Sequence, residues 1–499
     1  MRATMKYVMR AVVAGVVLAT PLDAQAPERC TSATGDATGA LTRAWHAAGL
    51  DQIGNRIVHS TSTDVVQMDF QSDRPYPPYF SMMMQRERWV DLSSRVERAA
   101  TRQAGLGIQV GLGVGSPPAI TQLSNDVTAF FLRDTVVLPV PGLLTGSLAS
   151  RAMDAWATLA DWRAAHDVRV VARCIYREYP RLVLERLGVY GKERLYLDEK
   201  TSLPVKLDRE EPHYLWGQVR NEFTYQTWIA AGKTIRPGAV HHLVDGVVLT
   251  ERVDGALDLV SADSAPSLKI PTVAAMKPEL ALFLQAVPVD TERVGSDLML
   301  LRNRGYRQGV VMLRDTVYLL DATQSDARAR LDSAWIDRLY PKHRAVVVVV
   351  TDLAWPHIAG MRFWVARGAT IVSHASSRPF IEQVVARRWT REPDALEQAR
   401  AKSAVRLKFV GVKDSLSLAG GALHLFPIDG IASEGALMAW LPGDRSLWAS
   451  DYIQTSAAPA LYTSEVAAAA KRAGIAPLRV AAEHLAPTDW SKILTLVSP

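Results

Sequence analysis

Histidine and cysteine are the first side chains to consider as metal ligands, and two cysteines could also form a covalent bridge. The chain contains 11 histidines and 2 cysteines. His241 and His242 are adjacent on a strand-like stretch, where neighbouring side chains point to opposite faces, so this pair predicts no shared metal ion. Cys30 and Cys174 have no histidine at a zinc-ligand spacing, which excludes a cysteine-based zinc site. In an oxidising compartment they would form a disulfide or remain unpaired, and the sequence leaves both open.

Three other functional classes find no support in the sequence. The glycine-rich stretch 105–113 lacks the Lys-Ser/Thr pair and the helix start of a phosphate-binding loop, so it predicts a flexible loop. The chain has no Gly-x-Ser-x-Gly elbow and no suitably placed Ser-x-x-Lys pair, which argues against a serine hydrolase. The net charge is +6, without a dense basic run interleaved with aromatic residues, and we therefore expect no nucleic-acid partner.

The N-terminus has the pattern of an export signal, which we assign to residues 1–26. Positive charges, a short apolar run and a small-x-small cleavage site follow one another, at Arg2, Lys6 and Arg10, at 11–20, and at Ala24-Gln25-Ala26. Pro27 is unfavourable after a cleavage site, so cleavage after Ala24 is the alternative. The apolar run is too short to span a bilayer, and no other stretch approaches about 18 apolar residues. We expect a periplasmic or secreted protein with no transmembrane anchor after cleavage.

Residues 30–270 read as a β-rich domain. Apolar and polar residues alternate with a period of two, and turn residues lie beside or within several of these stretches. The predicted strands are 55–71, 86–96, 127–138, 168–176, 194–197, 203–207, 218–228 and 240–251. Helices are predicted at 40–50 and 144–162. The pattern favours a large curved antiparallel sheet with a few helices on one face.

A linker at 264–271 and 276–278 precedes a domain of different pattern, residues 278–499. Strands and helices now alternate, with predicted strands at 298–302, 309–313, 316–320, 345–351 and 370–374 and helices at 325–339 and 358–367. Ser325 is the expected N-cap of the first helix, and Gly368 closes the second. The strand 345–351 is almost wholly apolar, as strands buried on both faces are. This order predicts a layered α/β domain with its site at strand ends.

Four stretches of this second domain carry a resemblance to a known family, over about 289–496. They are an opening hairpin that ends in Asp321, a strand and turn that end in Gly360, a further strand and helix, and a strand pair that ends in Asp451, at 310–322, 347–360, 368–380 and 435–451. In their order and spacing they resemble the metallo-β-lactamase superfamily. The resemblance implies an αββα sandwich, so the fold class expected for the whole chain is α+β.

The site of that superfamily consists of histidines and carboxylates around one or two Zn²⁺ ions, which activate a water molecule and polarise a carbonyl or phosphoryl oxygen. Here the motif is degenerate. Where the family carries Thr-His-x-His-x-Asp-His-x-x-Gly, residues 351–360 read Thr-Asp-Leu-Ala-Trp-Pro-His-Ile-Ala-Gly. The positions that have lost the family's ligands are Asp352, Ala354, Pro356 and Ala432. Those that retain them are His357, Asp451 and His484.

His357, Asp451 and His484 would form a two-histidine, one-carboxylate face, with Asp352 as a fourth oxygen ligand. Such a set holds one Zn²⁺ or Fe²⁺ ion. The alternative is that no metal is bound and the residues pair with each other, for example His357 with Asp451. Trp355 is expected to line a pocket, and His374 to be a neighbouring pocket residue behind the ligands.

Two functions follow from the resemblance, and the sequence leaves both open. The first is an exported metal-dependent hydrolase with at most one metal ion, acting on an ester, thioester, amide or phosphoester. The second is a catalytically inactive pseudoenzyme, a binding or scaffold protein for an apolar ligand or a protein partner. The β-rich half resembles the N-terminal extension of some exported members, which is similar to lipid-holding sheets. The resemblance implies a small-molecule or lipid-like ligand there, and the alternative is a structural domain that packs against the second half. The sequence does not define the oligomeric state.

Overall fold

The computed structural model describes residues 28–68, 80–104, 119–133, 136–281, 284–431, 433–454 and 460–497. The expected signal 1–26, the glycine-rich loop 105–113 and Ala432 lie outside these residues. Among the residues described, no helix is both long and apolar enough to cross a lipid bilayer.

The first half of the chain, residues 28–260 among those described, is dominated by one antiparallel sheet of 14 strands. In chain order these are β1 (Arg29–Ser32), β2 (Ile57–Met68), β3 (Phe80–Asp91), β4 (Val96–Ala104), β5 (Ile120–Ser124), β6 (Ala129–Arg133), β7 (Val136–Pro139), β8 (Arg169–Tyr176), β9 (Tyr179–Gly188), β10 (Gly191–Asp198), β11 (Pro204–His213), β12 (Gly217–Ala231), β13 (Thr234–Val244) and β14 (Val247–Val260). Their order across the sheet is β1-β8-β9-β10-β11-β12-β13-β14-β2-β3-β4-β5-β6-β7. The expectation of a strand-rich first half with a large antiparallel sheet is met.

Three helices pack on one face of this sheet, α1 (Ala37–Ala47), α2 (Leu144–Ala152) and α3 (Ala155–Ala164). The prediction of one helix over 144–162 was wrong, because Asp154 takes an extended conformation and caps α3, accepting hydrogen bonds from the next amides. The predicted strand 240–251 was likewise wrong: Asp245 and Gly246, both with positive φ, form the hairpin turn between β13 and β14.

Cys30 lies opposite Cys174 in the pairing of β1 with β8, and the two form a disulfide. Of the two possibilities that the sequence left open, the structure has the bridged one. It ties the first described strand to the edge of the large sheet across 144 residues of chain.

The second half contains two further sheets and seven helices among its described residues. One sheet has seven strands, β15 (Asp290–Arg293), β16 (Leu298–Asn303), β17 (Tyr306–Leu313), β18 (Thr316–Leu320), β19 (Ala345–Val350), β20 (Thr370–His374) and β21 (Lys408–Val412), in chain order across the sheet. The other has six, β22 (Leu416–Leu418), β23 (Leu423–Pro427), β24 (Leu437–Leu441), β25 (Ser446–Trp448), β26 (Arg479–Ala482) and β27 (Leu485–Asp489). The helices are α4 (Asp326–Leu339), α5 (Trp355–Ile358), α6 (Met361–Ala366), α7 (Arg378–Ala386), α8 (Ala395–Arg400), α9 (Ala460–Arg472) and α10 (Trp490–Val497).

Three apolar cores stack these elements in four layers. The inner faces of the two sheets meet in one core, which includes Leu320 and Val349 from the first sheet and Leu437 and Trp448 from the second. A second core packs helices α4 to α8 on the outside of the seven-stranded sheet, and a third packs α9 and α10 on the outside of the six-stranded sheet. The order is therefore helices, sheet, sheet, helices, as apolar faces on both sides of each sheet require.

Strand direction brings several loops to one edge of this sandwich. Strands β18, β19 and β20 are parallel, and so are β25 and β26. Because the carboxyl ends of parallel strands meet at the same edge of a sheet, the loops that follow these strands lie side by side there. Ser325 caps α4 as predicted, accepting a hydrogen bond from the Arg328 amide, and positions the loop between β18 and that helix.

Candidate metal centre

The turn that carries His357 is formed by a local change from strand to helix. The apolar run of β19 ends at Val350, and α5 begins at Trp355. Pro356 stands in the first turn of α5, where a missing N–H costs no hydrogen bond. The carbonyl oxygens of Pro356 and His357 accept hydrogen bonds from the amides of Gln324 and Ala322. These contacts fix the position of the histidine at the edge where the strands end.

Four side chains converge at this edge. His357, Asp451, Glu483 and His484 each offer one ligand atom, and these atoms lie within 4.8 Å of one another. His357 lies in α5, Asp451 follows β25, and Glu483 and His484 follow β26. The structure therefore brings together the three residues that the sequence proposed as principal ligands, and it adds Glu483, which the sequence reasoning did not identify.

His357 is almost completely buried and is surrounded by carboxylates. Its Nδ1–H donates to both oxygens of Asp352, at 2.9 and 3.0 Å, and contacts Glu483 as an ion pair. Burial alone would lower the pKa of His357, but the nearby Asp352, Glu483 and Asp451 outweigh burial and raise this pKa well above its usual value. The imidazole is therefore held as a cation in the metal-free protein. Its partners differ from the His357–Asp451 pair that we considered from the sequence.

Asp352 supports the histidine and is not one of the four converging groups. It accepts hydrogen bonds from the Ser450 hydroxyl and from the Ala354 amide, both at 2.7 Å. Burial by itself would raise the pKa of Asp352, but His357 and these hydrogen bonds lower it below its usual value. A carboxylate that fixes a histidine in this way is a common partner behind a metal ligand. The structure gives Asp352 this position, whereas the sequence suggested a fourth ligand.

Glu483 is a buried carboxylate whose negative charge is only partly balanced by its neighbours. Its side chain is fully buried, and one carboxylate oxygen contacts Nδ1 of His357 as an ion pair, a nitrogen that also donates to Asp352. Burial, with Asp352 and Asp321 nearby, raises the pKa of Glu483 well above its usual value despite the opposing effect of His357. A buried carboxylate that shares its one cationic partner with a second carboxylate is costly unless a proton or a further cation neutralises it.

His484 has one ring nitrogen fixed and the other directed to the site. Its Nδ1 donates to the carbonyl oxygen of Gly305 at 2.9 Å, and its Nε2 lies 3.6 Å from Oδ1 of Asp451. Burial and the neighbouring His357 lower the pKa of His484 to about 4, so this imidazole is neutral at pH 7. A neutral imidazole with Nδ1 occupied is the form that binds a metal ion through Nε2.

The phenol ring of Tyr306 packs beside both imidazoles, with ring centres 5.8 Å from His357 and 4.7 Å from His484. Burial raises the pKa of Tyr306 to about 12, so the phenol keeps its proton at neutral pH. About a quarter of the His484 side chain is exposed, whereas His357 and Glu483 are enclosed. The site therefore opens to solvent on the side of His484.

Asp321, the residue that ends the opening hairpin, lies behind the converging groups. It accepts hydrogen bonds from the amide and hydroxyl of Thr351 and, at 3.0 Å, from the indole of Trp448. Burial and the nearby Asp352 raise the pKa of Asp321 to about 7. Asp321 thus ties the loop after β18 to β19 and β25.

The two residues proposed for a pocket have other surroundings. Trp355 is 4% exposed and packs edge-on against His213 and Trp216 of the first half. His374 accepts a hydrogen bond from the Ser376 amide at 3.3 Å and caps the short turn after β20. Neither belongs to the converging group.

The donor set suits a divalent cation. Two imidazoles and two carboxylates are nitrogen and oxygen ligands accepted by Zn²⁺ and Fe²⁺. In a tetrahedral site with bonds of about 2.0–2.1 Å, ligand atoms would be roughly 3.3 Å apart, and the four atoms here lie within 4.8 Å of one another, so small side-chain shifts suffice. Four carboxyl groups, at Asp321, Asp352, Asp451 and Glu483, lie near one protonated imidazole, and the pKa values of Asp321 and Glu483 are raised. A bound cation would stabilise the ionised form of these carboxyl groups.

Glu483 could have been found from the sequence by one signal. It is a carboxylate directly after the short buried strand β26 and directly before a proposed ligand, His484. Strand ends of this kind are where sites of layered α/β domains lie. The family pattern has a ligand at the position of His484 but none at the position of Glu483, so the resemblance does not indicate this glutamate.

Comparison with known proteins gives distant structural likenesses. No family model matches the chain, and no curated protein matches it. Among solved structures, the DIM-1 metallo-β-lactamase has 15% identity and a TM-score of 0.34 over 43% of this chain and 97% of its own. TMB-1 has 15% identity and a TM-score of 0.33 over 42% and 96%. A metallo-β-lactamase from Hirschia baltica has 14% identity and a TM-score of 0.33 over 42% and 97%. Likenesses this distant define neither a substrate nor a ligand set for this chain.

Proposed function

We propose that the protein is an exported hydrolase of the metallo-β-lactamase type that works with one metal ion. The observation that carries the proposal is the convergence of His357, Asp451, Glu483 and His484 at the carboxyl ends of β19, β25 and β26. These residues would hold the ion. The four-layer arrangement of the second half supports the same assignment.

The chain's own groups have definite tasks in this proposal. Asp352 orients the His357 ring, and the carbonyl of Gly305 fixes the tautomer of His484. A bound metal ion would polarise a carbonyl or phosphoryl oxygen and lower the pKa of a water molecule to about 7. Substrate would approach from the side of His484, where the site is open. The candidate substrates are the esters, thioesters, amides and phosphoesters that the family resemblance implies.

Export is supported by two features. The N-terminal 26 residues have the pattern of a secretory signal. The disulfide between Cys30 and Cys174 fits an oxidising compartment, since such bridges are rare in the cytosol. We propose a periplasmic or secreted location on these grounds.

A metal-holding scaffold protein is the second candidate, and the number of ligands favours it. Four protein ligands complete a tetrahedral zinc site, whereas catalytic zinc sites keep a position open for water or substrate. In that case the ion stabilises the edge of the sandwich, and the protein binds a partner or an apolar ligand without turnover.

Metal analysis of the full chain, purified without chelator, tests the proposal. We expect about one equivalent of Zn or Fe, and less than about a tenth of an equivalent would refute both forms of it. His357→Ala should lose the metal, whereas His374→Ala, a histidine outside the group, should keep it. Metal-loaded protein is then assayed with ester, thioester, amide and phosphodiester substrates. Turnover that His357→Ala abolishes supports the hydrolase, and stoichiometric metal without turnover supports the scaffold.

A further inference from the structure

We infer that the hairpin between β11 and β12, which belongs to the β-rich half, is a positioning element of the metal centre. Its turn, residues 213–217, is inserted into the core of the second half. The inference concerns the role of the first half, and its metal-binding readout rests on the proposed function.

The hairpin is anchored by burial. Leu215 at its tip is fully buried and belongs to the core that packs the helices on the seven-stranded sheet, a core that also contains residues of β17, β18 and β19. His213 accepts hydrogen bonds at Nδ1 from the amides of Leu215 and Trp216, both at 3.2 Å, which fixes the turn. Burial lowers the pKa of His213 to about 3, so the ring stays neutral and Nδ1 remains an acceptor.

The second half also holds the backbone of the hairpin. The guanidinium of Arg387 donates to the carbonyl oxygens of Trp216 and Gln218, at 2.9 and 2.6 Å. Gly217 has a φ of +71°, and a Cβ there would meet the ring of Trp389 at 2.3 Å. This close approach requires glycine at the position and shows that the two halves fit tightly here.

The rings of the hairpin contact the turn that carries His357. The ring of Trp355 makes two edge-to-face contacts with the hairpin. Its centre lies 5.4 Å from that of Trp216 and 5.3 Å from that of His213, and the ring planes are nearly perpendicular in both pairs. Trp216 also meets Phe380 of α7 at 5.4 Å. Trp355 is only two residues before His357, and the four-residue helix α5 has little stability of its own.

The turn is therefore held between two supports. The amides of Ala322 and Gln324 bind its carbonyl oxygens from within the second half, and the hairpin packs against its tryptophan from the first half. Removing the second support would let α5 move and would displace the His357 imidazole from the other three groups. Trp216 is thus a positioning residue for the metal centre, acting through Trp355.

The test compares Trp216→Ala with Trp216→Phe and Trp228→Ala in the full chain. Trp228 lies on the same strand, β12, but packs in the core of the first half, so its loss controls for general destabilisation. Two readouts are used, the Zn²⁺ dissociation constant from chelator competition and amide hydrogen exchange of residues 353–358. Residues 479–482 of β26 serve as an internal reference for exchange.

We expect Trp216→Ala to weaken Zn²⁺ binding about tenfold, the range found when a residue behind a metal ligand is lost. Exchange of 353–358 should accelerate by about tenfold through the lost ring contacts, with 479–482 unchanged. Trp216→Phe should keep most of the Zn²⁺ affinity and most of the exchange protection of 353–358. Trp228→Ala should change neither the Zn²⁺ affinity nor the exchange of 353–358. If Trp216→Ala behaves like Trp228→Ala in exchange, the inference fails. If wild-type protein binds no Zn²⁺, the proposed function fails, and the exchange readout still decides the role of the hairpin.

Discussion

Replacing Glu483 with glutamine should have opposite effects on stability with and without metal. The variant keeps the shape of a fully buried side chain and removes its charge. In the metal-free protein, Glu483 is one of four carboxylates grouped around a single protonated imidazole, that of His357. One carboxylate fewer therefore relieves repulsion that His357 does not compensate.

The size of this relief follows from the geometry. The ligand atoms of Glu483 and Asp451 lie within 4.8 Å, and two like charges at that separation repel by about 3–4 kcal/mol at an effective dielectric constant of about 20. The attraction between Glu483 and the protonated His357 offsets part of the repulsion that Glu483 experiences from the other carboxylates. We expect a net gain of about 1–3 kcal/mol for Glu483→Gln in chelator-treated protein at pH 8, since uptake of a proton by Glu483 limits the penalty in the wild type.

The pH dependence has a definite sign. Because the pKa of Glu483 is raised on folding, the folded state binds more protons than the unfolded state above about pH 4.5, and native stability falls as pH rises. Glutamine does not titrate. The advantage of the variant should therefore be small near pH 4.5 and should grow towards pH 8.

With metal bound, the expected effect of Glu483→Gln on stability is the opposite. An ion present at 100 times its dissociation constant stabilises the wild type by about 2.7 kcal/mol, and a variant that has lost a ligand forfeits most of this. Melting temperatures, measured with chelator and with added Zn²⁺ at pH 5 and pH 8, report both effects. For a unit of 150–250 residues, 1 kcal/mol corresponds to roughly 2–4 °C.

Glu97→Gln is the matched control. Glu97 is also a buried glutamate, but both its oxygens accept hydrogen bonds from Arg88, at 2.8 and 3.1 Å. Breaking such a pair costs about 3–5 kcal/mol, irrespective of metal. If Glu483→Gln destabilises the metal-free protein as Glu97→Gln does, the charge of Glu483 is compensated, and our account of the site is wrong.

Three further predictions concern the supports of the fold and site. Leu215→Ala should cost about 2–5 kcal/mol of unfolding free energy in denaturant titrations, because the side chain is fully buried between the halves; a loss below about 1 kcal/mol would contradict that packing. Replacing Cys30 and Cys174 together with serine should cost about 2–4 kcal/mol, measured in the same way, and no change on reduction would argue against the bridge. Asp352→Asn should weaken Zn²⁺ binding about 10–100-fold by chelator competition, because it loosens His357, and unchanged affinity would refute that role.

Local patterns in the sequence predicted several elements that lie near the site. The valine-rich strand before Asp352, the helix capped by Ser325 and the strand that ends in His374 are where the sequence places them. Each is determined by neighbouring residues, through apolar spacing or a capping side chain. The break at Asp154 was missed because the apolar spacing continues across it, and only the backbone conformation of that aspartate separates the two helices.

The resemblance to a family named three of the four converging residues, and it assigned Asp352 a different task from the one the structure gives it. The motif aligned Asp352 with a metal ligand, but the aspartate side chain is shorter than an imidazole and reaches His357, not the converging atoms. Glu483 has no counterpart in the motif. A family pattern transfers positions along the chain, while the length and direction of each side chain decide what it contacts.

By itself the sequence determined the strand-rich character of the first half, the layered character of the second and the order of several strands and helices between 298 and 374. Those features depend on periodicity and capping, which are properties of adjacent residues. Only the tertiary structure decided that Glu483 joins His357, Asp451 and His484, that Cys30 meets Cys174, and that the hairpin around Leu215 enters the second half. These contacts join residues that are far apart in the chain, and their geometry depends on how parallel strand ends and packed faces align, which no local pattern encodes.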